Sequence, residues 1–419
     1  MSSTLKRPLL GGKADHAEGA TITATVVNLL KNMVGAGLLN VCIAFKYSSV
    51  LGGVMAMALS AFLCSAGFLL LGYCCSKANA KSFRELWRAS MGPDSEKVVD
   101  VVLFFHCLFS CVGYITLVGD FAVKSFSGLF PGSILGERRD LSIYIVVVFC
   151  IFPLSQLKNL DSLKSTSAIG LFITALACTY VFYDVCTTSS EHGSLDTLKD
   201  HFFYLKFDIF KTIALFNGSF SAHYNAPTYY SEMKNKSFGR FAQATLYAFA
   251  IATGLFTLFG IAGFARFGDQ ILGNVLKGYS AEDPMVQVCW LCMMVSTVFV
   301  FPHAFQRMRS SWNALIDKPP EYAFQPTTLV LLAITVYIGT AFEDIAVIKM
   351  IKGATLGVLI MFIFPALFYI KLSLKEEAAD PNAKRRGEPT GLLRILCVVM
   401  LISGVGQGIL ALASHFKLV

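Results

Sequence analysis

Charge is what this sequence has least of. Only 15% of its residues are Asp, Glu, Lys or Arg, while 55% are hydrophobic and the mean hydropathy is +0.61. A soluble domain carries about 25% charged residues. The deficit is uneven, with charge missing from long apolar stretches and gathered between them. An ionised group at a bilayer centre costs about 2.5 kcal/mol or more, so the pattern belongs to a chain that crosses a membrane repeatedly. Other absences narrow the function. There is no His-Glu-x-x-His pair and no Gly-Lys-Ser/Thr phosphate loop, which argues against an intramembrane enzyme and an ATP-driven pump. Nothing resembles a repeated filter or a ring of like charges, as a channel would need. The net charge is +8, but Lys and Arg sit in short loops without a basic stripe or aromatic platform, so no nucleic-acid partner is expected. Most of the 12 Cys fall inside apolar runs (Cys64, Cys107, Cys111, Cys150, Cys292, Cys397), where Cys acts as a small hydrophobe. Cys74 and Cys75 lack a partner pair at metal-ligand spacing, so no metal site and no cofactor is expected.

Runs long enough to span, about 20 mostly apolar residues, are abundant. They occur at 22–44, 50–74, 98–122, 141–156, 166–186, 210–231, 241–265, 285–305, 326–343, 346–371 and 391–414. The fold class is therefore an all-α polytopic membrane protein with about 11 transmembrane helices. Pro153 predicts a kink or tilt in the short fourth run. Residues 1–20 are polar, hold Lys6, Arg7 and Lys13, and have no apolar core, so they read as a disordered cytosolic tail with no cleaved signal peptide. With the N-terminus in the cytosol, inside segments carry about twice the Lys and Arg of outside segments, as the positive-inside rule requires. Residues 21–371 then form the core of helices one to ten. Residues 372–390 form a cytosolic loop, and 391–419 hold helix eleven with a short outer tail.

Two of these helices are interrupted alike. The first reads Asn28-Leu-Leu-Lys31-Asn32-Met-Val-Gly35-Ala36-Gly37-Leu-Leu-Asn40, the sixth Phe216-Asn217-Gly218-Ser219-Phe220-Ser221-Ala222-His223-Tyr224-Asn225-Ala226-Pro227. Glycine clusters and polar side chains at mid-membrane depth cannot face lipid, because unpaired backbone groups are costly there. They fit helices that unwind beside a cavity. A half-helix starting there offers N–H groups and a positive dipole end to a carboxylate, and one ending there offers carbonyls to an ammonium or Na⁺. Breaks five spans apart suggest two five-helix repeats of inverted topology plus one extra helix. The competing reading is that Gly-x-Gly marks only close helix packing.

At these residues the sequence resembles the amino acid/auxin permease family of secondary transporters. Asn28-Leu-Leu-Lys-Asn-Met-Val-Gly-Ala-Gly resembles its first-helix motif. Phe220-Ser-Ala-His223-Tyr-Asn-Ala-Pro227-Thr-Tyr-Tyr-Ser-Glu232-Met resembles its sixth. Gly353-Ala-Thr-Leu-Gly357 followed by Phe364-Pro365-Ala-Leu-Phe-Tyr369-Ile-Lys371-Leu resembles its tenth. The His-Tyr-Asn-Ala-Pro form looks most like the vacuolar branch. One departure is that Val41-Cys42-Ile43, not a proline, precedes Ala44-Phe45. The resemblance implies amino-acid transport by alternating access. Gly35, Ala36 and Gly37 would offer amides to the substrate carboxylate. Phe216, Asn217, Gly218 and Ser219 would face the amino group with carbonyls and the Asn amide, and Phe216 or Phe220 would gate.

The coupling ion is H⁺ or Na⁺. In a fold of this kind Na⁺ can sit between Asn28 of helix one and the hydroxyls of Ser296 and Thr297 in helix eight, although such hydroxyls often bond their own backbone. Lys31 lies near the same region, where a buried amine can replace a cation or titrate; a lysine here resembles proton-coupled relatives. It can also snorkel toward the cytosolic face. His223, in the motif, and His106 and Asp120, in helix three, are further proton-relay candidates. Tyr114 is a candidate pocket wall, and Glu343-Asp344 are expected in an outer turn. The alternative function is a nutrient receptor (transceptor) that binds an amino acid but transports little. The expected partners are an amino-acid substrate and the bilayer, the chain being a monomer in a vacuolar/lysosomal or plasma membrane.

Overall fold

The computed structural model describes residues 19–157, 166–187, 195–319, 321–379 and 390–418. The expected tail up to residue 18 and the loop residues 380–389 lie outside the described residues. Among the described residues there is no strand, only an isolated bridge between Ala20 and Met233. The helices used below are α1 (Ile22–Gly37), α2 (Val41–Tyr47), α3 (Val50–Ala78), α4 (Phe83–Met91), α5 (Lys97–Leu129), α6 (Arg139–Val146), α7 (Thr166–Thr187) and α8 (Ile209–Ser219). They continue as α9 (Ala226–Ser231), α10 (Phe238–Phe267), α11 (Pro284–Leu315), α12 (Phe324–Ala341), α13 (Ile345–Lys352), α14 (Phe364–Ala379) and α15 (Thr390–His415).

Among the described residues, eight helical stretches are long and apolar enough to cross a membrane: Ile22–Tyr47, Val50–Ala78, Lys97–Leu129, Phe238–Gln270, Pro284–Leu315, Phe324–Ala341, Ile345–Ala379 and Gly391–His415. The other three expected runs are helical as well. The fourth passes through a π segment at Val147–Ile151 before Pro153, the fifth is α7, and the sixth is split into α8 and α9. Side chains on the outer surface are those a bilayer favours, with Phe149, Phe172, Tyr337 and Ile402 at least 70% exposed.

Local chemistry sets the helix ends. The Ser49 side chain accepts from the Gly52 N–H and starts α3, which closes on Asn79 at φ 50°. Asp283 accepts from the Met285 and Val286 N–H groups, with Pro284 at the first position of α11. Asp344 caps α13 in the turn after α12, where Glu343-Asp344 were expected. Two ends differ from the sequence expectation. Residues 372–379 are helical, not loop, because α14 runs on to dock Lys375 on the Ala89 carbonyl (2.8 Å), Glu376 on Lys77 (3.3 Å) and Glu377 on Arg394 (2.7 Å). The short amphipathic α4, which no apolar run announces, buries Phe83, Leu86 and Trp87 and sends Arg84 and Arg88 to Glu96.

The buried apolar residues fall into two cores. One is built mainly from α1, α2, α3, α8, α10, α14 and α15. The other is built from the middle of α5 with α6, α11 and α12. Asp120, at the end of α5 near this second core, does not face a relay. Its carboxylate lies 3.6 Å from Arg139 and 3.3 Å from Lys277, and accepts from Asn274 Nδ2 at 3.3 Å. Arg139 also donates to the carbonyls of Thr116 and Phe342, so this group ties three elements together. Asp120→Asn leaves two cations facing each other. Unfolding in detergent should cost about 2 kcal/mol less, below the value for a fully buried pair because the Arg139 and Lys277 side chains keep 20% and 33% of their exposure. A thermal melt checks this; an unchanged Tm removes the lock.

Candidate functional site

Both interrupted helices break where the glycines predict. In α1 the residue Gly35 leaves helical geometry (φ −37°, ψ −108°), and the chain resumes as a 3-10 turn at Leu38–Asn40 before α2. The sixth run stops at Ser219, passes through Phe220–Ala222 without regular helix, and resumes at His223–Asn225 and α9. The two breaks touch: a Cβ built on Gly37 would lie 3.5 Å from Ser219. Ser219 Oγ donates to the Leu215 carbonyl at 3.1 Å and reaches the Gly37 carbonyl at 3.4 Å.

A cavity adjoins this crossing. Its wall comes from Asn32 of α1, Ser110 and Tyr114 of α5, Gly218 and Ser219 of α8, and Ser221 and Tyr224 past the break. Ile345, Ile348, Lys349 and Lys352 of α13 complete it. It lies where the two cores meet, since of its wall residues Ile345 belongs to one core and Ile348 to the other. The free space is about 20 Å³, room for a water molecule and far below the roughly 300 Å³ of small ligand pockets. A solute larger than water fits only when the walls part.

The first and sixth runs are clasped beside the cavity. Tyr224 donates to Asn32 Oδ1 at 3.0 Å, Asn32 Nδ2 donates to the Tyr229 hydroxyl at 3.3 Å, and Tyr229 donates to the Asn28 carbonyl at 3.4 Å. Gly218 and Gly353 bring α8 against the tenth run, because a Cβ on Gly218 would sit 2.5 Å from the Lys349 carbonyl oxygen and one on Gly353 2.0 Å from that of Ala214.

Tyr114, Gly218 and Ser219 line the cavity. Others point elsewhere. The Asn217 amide donates to Gln407 Oε1 of α15 at 3.1 Å, so its side chain does not face the cavity. The two expected gates are packed into the core. The Phe216 ring meets Phe45 edge-on (centroids 6.2 Å), and Phe220 stacks on Phe249 (5.6 Å) and meets Phe256 (5.2 Å); both are fully buried. Gly35 and Gly37 form the break but are not on the wall, and the side chain of Ala36 lies outside the described part of the structure.

The ion-coupling candidates separate too. His106 Nε2 lies 3.2 Å from Ser221 Oγ, one bond from the cavity. His223 Nε2 lies 2.8 Å from the Cys64 carbonyl, fixing the unwound stretch to α3, the role of a bend stabiliser. Thr297 donates to its own Met293 carbonyl at 2.7 Å, and Asn28 is exposed, so these two do not converge with Ser296. Lys31 does. A Cβ built on Gly170 of α7 would lie 3.2 Å from Ser296 Oγ and 4.0 Å from Lys31 Cε, so α1, α7 and α11 meet at this amine. His303, two turns beyond Ser296 on α11, is within its electrostatic reach.

The residues missed are those of the tenth run. Lys349 lies in α13, which starts at Ile345, and shares a face with Lys352 three positions on. Lys352 is 5% exposed and donates to Ser110 Oγ at 2.9 Å. An intramembrane lysine is a functional signal by itself, and Lys352 carried it.

Comparison with known proteins gives the family. The model of the family described as transmembrane amino acid transporter protein matches residues 18–416. The chain is 27% identical to vacuolar amino acid transporter 5 of Schizosaccharomyces pombe, over 88% of this chain and 89% of the relative. It is 25% identical to solute carrier family 38 member 8 of Mus musculus, over 94% and 93%. A Danio rerio relative whose description names a sodium-coupled neutral amino acid transporter is 22% identical, over 88% and 83%. With the match running over nearly its full length, the chain belongs to the transmembrane amino acid transporter family, a family of multi-pass membrane proteins.

Proposed function

We propose that the chain is a secondary active transporter that moves amino acids by alternating access and is coupled to protons. The observation that carries this is the cavity on the seam of the two cores, beside the paired breaks. Two cores that each pack as a unit can rock about their seam and open it to one side at a time. The eleven runs then form five helices, five inverted ones and an appended eleventh, with the N-terminus in the cytosol. The carbonyls of Phe216, Asn217, Gly218 and Ser219 take the amino group, and the amides of Gly35, Ala36 and Gly37 take the carboxylate once the walls part. The meeting of Lys31 with Ser296 at Gly170 favours proton coupling, since an ammonium there stands where a cation would bridge α1 and α11. Sodium coupling at Asn28, Ser296 and Thr297 is the second reading, favoured by the description of the Danio rerio relative.

Rocking is tested by locking the two bodies together. Arg307 of α11 donates to Thr228 Oγ1 of α9 at 2.8 Å, one contact between them. In a Thr228→Cys, Arg307→Cys variant, a reducible bifunctional thiol cross-linker that replaces the length of the arginine stem should abolish uptake and a thiol reductant should restore it, while treated wild type keeps its flux. Full flux through the cross-linked protein would sink alternating access by rocking.

A further inference from the structure

We infer that the cavity selects amino acids that carry a second carboxylate, held by Lys349 and Lys352. This rests on the transporter reading and names its substrate class. The cavity wall contains two lysines and no Asp or Glu. Both project from one face of α13, and Lys352 is 5% exposed, its ammonium donating to the Ser110 hydroxyl. Among the described residues no carboxylate pairs with either, whereas Arg84 has Glu96, Arg139 has Asp120 and Arg266 has Asp184; the buried Arg309, also without a carboxylate, is met instead by the Ser155 carbonyl, the Thr328 hydroxyl and the Phe324 ring, and the cavity lysines have no such enclosure. Burying an unpaired charge is costly, and two on one wall repel each other, so the arrangement is completed by an anion from outside the chain.

The rest of the wall suits an acidic amino acid. Ser110 and Ser221 offer hydroxyls near the lysines, and His106 stands behind Ser221 at 3.2 Å. Ile345 and Ile348 offer apolar surface to a short aliphatic stem. The glycine crossing keeps Lys349 at hand, since its carbonyl lies against Gly218, so the two lysines face the backbone proposed to hold the amino group. An acidic substrate thus spans the site, amino group on the sixth run and side-chain carboxylate on the tenth. A neutral isostere leaves both ammonium groups without a counter-charge.

The test is uptake of labelled glutamate, aspartate, glutamine, asparagine and alanine, each offered singly to the full-length chain in proteoliposomes. Glutamate or aspartate should show a KM about tenfold or more below that of its amide, the discrimination of one charge-assisted hydrogen bond. Lys352→Met and Lys349→Met should bring the amide-to-acid KM ratio down to one or below, and Lys352→Arg, which keeps the charge, should retain the preference and serves as the folded control. Glutamine or alanine taken up as well as glutamate by wild type overturns this inference and leaves amino-acid transport standing. A preference for glutamate that both Met variants keep overturns the assignment to these lysines. No uptake of any amino acid overturns the reading beneath it.

Discussion

Lys31→Met should lower the ratio of proton-driven uptake to substrate counterflow about 100-fold, a coupling energy of about 3 kcal/mol. The argument is spatial. Lys31 sits on α1, one turn before the Gly35 break, and its stem converges with Ser296 of α11 on the bare backbone of Gly170. The amine is thus between the body that carries the first break and the helix that anchors the other core. When it is protonated it bridges them, and when it is neutral the bridge weakens, so protonation and rocking are linked. Methionine keeps the length of the stem and removes the charge, so any loss is of coupling and not of packing. Lys31→Arg makes a sharper variant: a guanidinium does not release its proton, which should trap one state and stop net flux. Both are measured in proteoliposomes, with a pH gradient for uptake and preloaded substrate for counterflow. Uphill uptake by Lys31→Met at the wild-type rate would show that the proton passes elsewhere, and His106 would be next.

The second large effect is on folding. Gly353→Val should destabilise the protein by about 3 kcal/mol or more, at the upper end of over-packing costs. A Cβ there would sit 2.0 Å from the Ala214 carbonyl oxygen and 2.8 Å from the Gly218 nitrogen, both backbone atoms with nowhere to move. The glycine-to-glycine crossing sets the distance between the sixth and tenth runs, and with it the cavity. Gly254→Ala on α10, with nothing within 4 Å of its added Cβ, is the control and should be neutral or slightly stabilising. Equal melting temperatures for the two variants would mean that the crossing is looser than drawn.

Much of this was legible in the sequence because a bilayer leaves few options. Apolar length marked the helical runs, and glycine with polar residues at mid-membrane depth marked the stretches 28–40 and 216–227, inside which the breaks fall at Gly35 and Phe220–Ala222. What was not legible is rotation about each helix axis. Asn217 and Gly218 are adjacent in sequence, yet one faces Gln407 and the other the cavity, and nothing in the local pattern separates them. Phe216 and Phe220 read as gates because they flank the break, but buried aromatic neighbours from α2 and α10, remote in sequence, claim both rings. Lys349 and Lys352 lie inside the apolar run 346–371, and nothing in the local pattern says that both line one cavity wall. The amphipathic α4 and the extension of α14 carry too much charge to register as spans and are held by contacts between distant segments.

The most direct measurement is uptake of labelled amino acids into proteoliposomes under an imposed pH gradient, an imposed Na⁺ gradient, and neither. Accumulation driven by the pH gradient in Na⁺-free medium, lost with the gradient, is the predicted result. Accumulation that requires Na⁺ and ignores pH would contradict proton coupling through Lys31 and move the site to Ser296 and Thr297. Binding of amino acid without accumulation under any gradient would contradict transport itself.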